Sequence, residues 1–369
     1  MRSNTPYLRR SLAVGNGPNF TRLFSNSRLH SATMKSITLA ILLAFSFLSG
    51  CGGGPSTVHA AAPLPSATPT PAPVTTPAPT PTPTPIPATL PTGSLTPIDV
   101  SAGNITLTLE PGEYACPASI PSGTRIIGHG TIVPPELTND KTFAPMSAAA
   151  AAPVRIFCDH DLVLSSVSGV QISGVIFYFE NMGGLVLDSI TGCQFSMGIA
   201  DSPLAMNIES TTGNVMENTF PRLVLYNVGK GMILQGFNST VITWSDFGHV
   251  EIVRAREYGI NISRFADTNK FDHVLIRLAN TAQAGVIFND SAALADVDAS
   301  GNIFSLLSCD VDNSATYTGY CADFRGYTVG NHVLMGFGIM PDANKVHFQN
   351  AFSQQANTVV KIQESPKTP

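Results

Sequence analysis

The chain has 369 residues, 12% of them charged, with 20 Lys or Arg against 25 Asp or Glu and a formal net charge of −5. Residues 1–50 hold six Lys or Arg and no Asp or Glu, so the rest of the chain carries the whole acidic excess. An acidic body of this size excludes a generally basic, nucleic-acid-binding protein and leaves anion binding to local patches of Arg.

Met34-Lys35-Ser36 opens a short basic start, residues 37–48 form an apolar run, and Leu48-Ser49-Gly50-Cys51 closes it with small residues before a cysteine. The run is shorter than the ~20 apolar residues of a membrane span and has the layout of an export signal. Its ending resembles the lipobox of bacterial lipoproteins. That resemblance implies cleavage before Cys51, lipidation of Cys51, and display from the bacterial cell envelope, with the membrane touched through the lipid alone. An ordinary secretory signal cut near residues 60–62 is the alternative. Residues 34–50 are thus read as the signal and residues 1–33 as a leader extension or a mis-called start.

From Cys51 to residue 95 the chain is mostly Pro, Thr, Ala and Ser, with runs such as Thr80-Pro81-Thr82-Pro83-Thr84-Pro85. Such a segment has no apolar face whose burial could offset the entropy of ordering it. Alternating Pro favours extended polyproline II, and ~40 residues at ~3 Å each reach on the order of 100 Å. It reads as a stalk and plain tether.

Residues 96–369 are enough for one large domain. Short bursts of Val, Ile and aromatic residues alternate with Gly and Asn, and no amphipathic helix of ten residues stands out, so the class is all-β. Internal repetition decides the architecture. Ala205-Met206-Asn207-Ile208, Gly231-Met232-Ile233-Leu234, Gly259-Ile260-Asn261-Ile262 and Gly285-Val286-Ile287-Phe288 recur every 26 to 28 residues, and Cys321-Ala322-Asp323-Phe324 continues the series. A second strand tends to open with Asn, at Asn214, Asn269, Asn302, Asn331 and Asn344. A third follows at residues 223–226, 251–254 and 274–277. Three short strands cannot bury their own apolar face, so coils stack around a common column, with Ile208, Leu234, Ile262, Phe288 and Phe324 pointing in. Asn tolerates left-handed backbone and can bond to the amide one coil away, which predicts an Asn ladder. A β-sandwich with Asn-rich turns is the competing architecture.

Leu109-Glu110-Pro111-Gly112-Glu113-Tyr114, followed by Ile120-Pro121-Ser122-Gly123-Thr124-Arg125-Ile126-Ile127-Gly128, looks like the first coil of the pectate-lyase-like superfamily. The resemblance spans residues 98–352 and implies a single-stranded right-handed parallel β-helix with three strands per coil. It also implies a polysaccharide as partner and leaves a Ca²⁺ requirement open, with no other cofactor or metal indicated. It does not fix the chemistry, because function lives in the site and not in the fold.

Gly128-His129-Gly130 copies a tripeptide of polygalacturonase active sites, but here it sits in the first coil as a turn. Cys158-Asp159-His160-Asp161 offers metal or acid–base side chains, which at a strand end more often satisfy turn amides. The stronger candidate is a column on the third strands: Tyr226, Arg254 and Arg277, with Arg256, Asp246, Asp272 and His273 nearby. By the family resemblance, Arg254 and Arg277 would serve as base and carboxylate-neutralising cation of a lyase. Hydrolysis needs two opposed carboxylates instead, and Asp246 with Asp272 is the pair on offer. Trp244, the sole Trp, could stack on a sugar ring or cap the core. The competing reading makes all of these solvated side chains on a sheet exterior.

Among the cysteines, Cys309 and Cys321 bracket a polar loop whose closure by a disulfide would contribute about 3 kcal/mol. Cys116 with Cys158 is a second pairing, and Cys193 remains as a small core residue. No heptad segment drives oligomerisation, and oligomeric state stays open. Three functions remain: a lyase or hydrolase of an acidic polysaccharide, a non-catalytic polysaccharide-binding or adhesive module, and a structural spacer of the envelope. The lack of a catalytic signature tilts the balance to binding.

Overall fold

Bursts of β-branched and aromatic residues punctuated by Gly and Asn form short strands, and in the computed structural model every strand pairing is parallel. The structure describes residues 94–138, 152–180, 182–237, 240–289, 299–312, 314–336 and 338–362. These belong to one compact unit, Thr80–Pro369. The expected leader, signal and stalk, with Cys51, lie outside the described residues except for Ser94 and Leu95.

Two long sheets run the length of the unit. The first contains Gln171–Tyr178, Gln194–Ala200, Thr219–Tyr226, Asp246–Ala255, Lys270–Leu278 and Ile303–Val311 as successive neighbours. The second contains Leu185–Asp188, Leu204–Ser210, Lys230–Gly236, Tyr258–Ile262, Ala284–Phe288 and Tyr320–Phe324. Each neighbour lies one coil later in the chain, which is the topology of a parallel β-helix; an antiparallel sandwich is excluded. A third sheet of two-residue strands, Val215–Met216, Ile242–Thr243 and Ala266–Asp267, lies in the central coils, and single parallel bridges at Ser168–Thr191, Thr191–Met216 and Ser300–Val329 lie in the coils to either side. Among the described residues the helices are short, Pro135–Thr138 and Ala351–Ala356. No described helix is long and apolar enough to cross a membrane.

The core is a set of stacks. Ile208, Leu234, Ile262, Phe288 and Phe324 oppose one another from coil to coil and are all buried, as the repeat predicts. A second stack on the first sheet, Phe195–Phe220–Phe247–Phe271–Phe304, has ring centroids 4.3 to 5.4 Å apart. Each such pair adds about 0.5–1.5 kcal/mol beyond its burial.

The Asn ladder exists but is made of different members than the sequence suggests. Asn218, Asn269, Asn302, Asn331 and Asn357 are buried. Asn269 Nδ2 donates to Asn302 Oδ1, Asn302 Nδ2 to Asn331 Oδ1, and Asn331 Nδ2 to Asn357 Oδ1, at 2.9 to 3.1 Å. Asn214 and Asn344 stand outside it: Asn214 Oδ1 accepts from Val241 N, and Asn344 Nδ2 donates to Gly319 O. Asn218, Asn269, Asn302 and Asn331 each come directly after a left-handed turn residue, Asn357 comes directly after the helix Ala351–Ala356, and neither Asn214 nor Asn344 follows a left-handed residue.

In the Asn269 coil the segments expected as separate second and third strands run together in Lys270–Leu278, whereas in the Asn214 coil they stay apart as Val215–Met216 and Thr219–Tyr226. Between Thr219–Tyr226, Asp246–Ala255 and Lys270–Leu278 the pairing skips one residue at Pro221, Gly248 and Asp272. The remaining strand of each central coil is the two-residue one before the ladder position.

Candidate functional site

In eight coils the residue just before the ladder position has positive φ. Reading up the helix, these are Gly123, Gly169, Gly192, Glu217, Trp244, Thr268, Gly301 and Gly330, with φ between 53° and 71°. Glycine takes this conformation without a Cβ clash, whereas other L-residues lose roughly 1–2 kcal/mol in it. The flanking coils use Gly; three consecutive central coils use Glu, Trp and Thr. Trp244 is also 63% exposed. A bulky aromatic placed in strained backbone with its ring in water is disfavoured twice over, and such outliers point to function.

Two of these coils carry a charged side chain immediately after the ladder position, and the third carries Thr219. Asp246 and Lys270 are opposed and exposed. Lys270 Nζ lies 2.7 Å from Asp272 Oδ1 and 4.0 Å from Asp246 Oδ1. The hydrogen bond that Lys270 donates to Asp272, with further help from both carboxylates, holds the Lys270 ammonium above its ordinary value. The structure thus brings Asp246 and Asp272 together, but around a shared, exposed ammonium. A hydrolase pair needs one carboxyl kept neutral in an apolar setting. That setting is not the one found.

Further along these strands, Arg222, His249 and His273 form one row in register. His249 Nδ1 and His273 Nδ1 are 3.1 Å apart, and Glu251 Oε2 is 3.9 Å from His249 Nε2. Burial, and then the neighbouring His249, push the His273 imidazole below its ordinary value against the opposing pull of Glu251. Glu251 is only 2% exposed.

The expected column of Tyr226, Arg254 and Arg277 is not formed. Tyr226 opposes Val253, and Val253 opposes Arg277. Arg254 takes φ 62° and the pairing shifts between Val253 and Ala255, so one inserted residue moves its side chain out of the row. Tyr226 is 3% exposed within an apolar cluster with Phe157, Tyr178 and Val253. It cannot offer its ring face to a sugar in this state. Arg277 Nε donates to Asp312 Oδ1 at 3.1 Å, and Arg256 Nη1 donates to Asn227 Oδ1 at 3.2 Å. These guanidiniums are engaged within the fold.

The other motifs resolve into structure. Asp161 Oδ1 accepts from Gly184 N, His160 Nδ1 sits 2.6 Å from Asp159 Oδ1, and His129 Nδ1 sits 3.0 Å from Glu110 Oε1. Cys116 is bonded to Cys158 and Cys309 to Cys321, while Cys193 is free and buried. Among the described residues no group of three or more His, Cys, Asp or Glu could hold a metal ion.

Compared with family models, curated proteins and solved structures, the chain matches none of them. The site is therefore read from its own geometry. Sequence reasoning missed Arg222, His249, Glu251 and Lys270. The signal that locates them is the series of ladder residues followed two positions later by Phe, at Cys193-Gln194-Phe195, Asn218-Thr219-Phe220, Ser245-Asp246-Phe247, Asn269-Lys270-Phe271 and Asn302-Ile303-Phe304. That series aligns the coils and puts the polar residues in rows.

Proposed function

We propose that this chain is a surface β-helix protein, held on the bacterial cell envelope through Cys51, that binds an extracellular acidic polysaccharide along the ridge of its three central coils. The observation that carries the reading is Trp244, the one Trp of the chain, exposed on a strained turn where the flanking coils place Gly. Indole rings stack on the apolar faces of sugars, and a rigid aromatic anchor loses little entropy on binding. Arg222, on the coil before Trp244, adds a guanidinium of the kind that meets carboxylates. The likeness of the first coil to the pectate-lyase-like superfamily adds a carbohydrate-facing role.

Binding is preferred to catalysis because Asp246 and Asp272 share Lys270, and Arg277 is committed to Asp312. The test is a panel of acidic and neutral polysaccharides offered to the purified protein. Acidic glycans bind, and Trp244→Ala weakens binding about tenfold, equivalent to one lost stacking contact. No binding, no unsaturated product and no new reducing ends across the panel would remove every carbohydrate reading. Anchoring is checked separately: in a bacterial host, labelled fatty acid enters the wild-type chain and not Cys51→Ala. Equal labelling of both would show that Cys51 is not the anchor.

A further inference from the structure

His249, His273 and Glu251 form an arrangement that the glycan reading does not use. His249 and His273 stand directly opposite each other in adjacent parallel strands, so backbone pairing fixes their separation. The Phe rings one column away stack within 6° of parallel in the same coils. The two imidazoles instead meet at 73°, with centroids 4.9 Å apart and their Nδ1 atoms converging to 3.1 Å. A tetrahedral Zn²⁺ with Zn–N of ~2.0–2.1 Å holds two nitrogens roughly 3.3–3.4 Å apart, so a small outward rotation of the rings makes the pair a metal bite.

Glu251 supplies the second observation. It is 2% exposed, and its Oε2 makes no hydrogen bond. A buried carboxylate oxygen without a partner is costly unless a positive charge compensates it. That oxygen lies on the far side of His249, 3.9 Å from Nε2, while Nδ1 faces His273. Metal-binding His residues characteristically direct their other ring N–H to a carboxylate, which fixes the ring and strengthens it as a ligand.

We propose that His249 and His273 form a two-imidazole site for a divalent first-row transition ion, Zn²⁺, Ni²⁺ or Cu²⁺, with Glu251 as the positioning carboxylate behind His249. Both imidazoles are half-buried, so the remaining coordination positions are left to water or an oxygen ligand. Affinity among these ions follows the usual order, with Cu²⁺ strongest. The site stands independently of the glycan reading.

Each ion is titrated in turn into the purified full chain by calorimetry, with thermal unfolding and circular dichroism as fold controls. One equivalent binds saturably and raises the thermal midpoint. His249→Ala and His273→Ala each abolish that equivalent, Glu251→Gln weakens it about 10–100-fold, and His129→Ala leaves it unchanged. Should an Ala variant unfold, His249→Gln and His273→Asn carry the same expectation. With Cu²⁺ bound to the wild type, electron paramagnetic resonance shows coupling to two imidazole nitrogens; coupling to one alone would overturn the site. No saturable binding below about 1 mM, or binding that survives the double His substitution, overturns the site.

Discussion

The three central coils and the coils that flank them are built on one plan and differ where the plan is least forgiving. In the flanking coils the left-handed turn residue is Gly301 or Gly330, followed by a buried Asn whose amide continues the ladder. In the central coil the same two positions are Trp244 and Ser245, and Ser245 Oγ is buried without a partner. Two neighbouring departures in one coil, one conformational and one in hydrogen bonding, mark where this coil gives up stability that its neighbours keep. The exposed charges and the His pair lie on those same coils.

Substitutions can break that contrast. Asn302→Ala in a flanking coil removes the link between Asn269 and Asn331 and leaves buried partners unsatisfied. It should cost about 3 kcal/mol, read as a fall in the urea midpoint. Gly330→Ala makes only ordinary van der Waals contact with the Gly301 backbone but needs φ 69°, so it should lose about 1–2 kcal/mol from backbone strain alone. Trp244→Gly should move stability the other way by about 1 kcal/mol while weakening glycan binding about tenfold. If Trp244→Gly and Gly330→Ala shift the midpoint in the same direction, the central turn is not strained in the sense argued. The smallest effect is Ser245→Asn, which would complete the ladder between Asn218 and Asn269 and add about 1 kcal/mol or less. A loss there would mean that the coil spacing cannot accept the amide.

The fold was legible because burial imposes a period. Ile208, Leu234, Ile262, Phe288 and Phe324 recur at coil length since each must fill the same place in the stack. The ladder was only half legible. Asn is as common in turns as in ladders, so Asn214 and Asn344 looked like members until the left-handed residue ahead of the ladder position was known. The site was less legible still. A single inserted residue at Arg254 shifts every outward side chain beyond it, and no composition rule announces such a bulge. Tyr226 follows from the same limit: alternation places it outward, but whether an outward face is covered depends on distant chain segments. His249 and Glu251 were invisible for a related reason, because rows across coils are set by register and not by neighbours in sequence.

The claim that the strained, exposed Trp244 is the anchor of a glycan-binding ridge has one direct reporter, since the chain contains no other Trp. Intrinsic fluorescence of the purified protein is followed while acidic oligosaccharides are added. The account predicts a saturable change in intensity with a shift to shorter wavelength, at the concentrations where binding is seen independently. Binding that leaves the emission unchanged would contradict it.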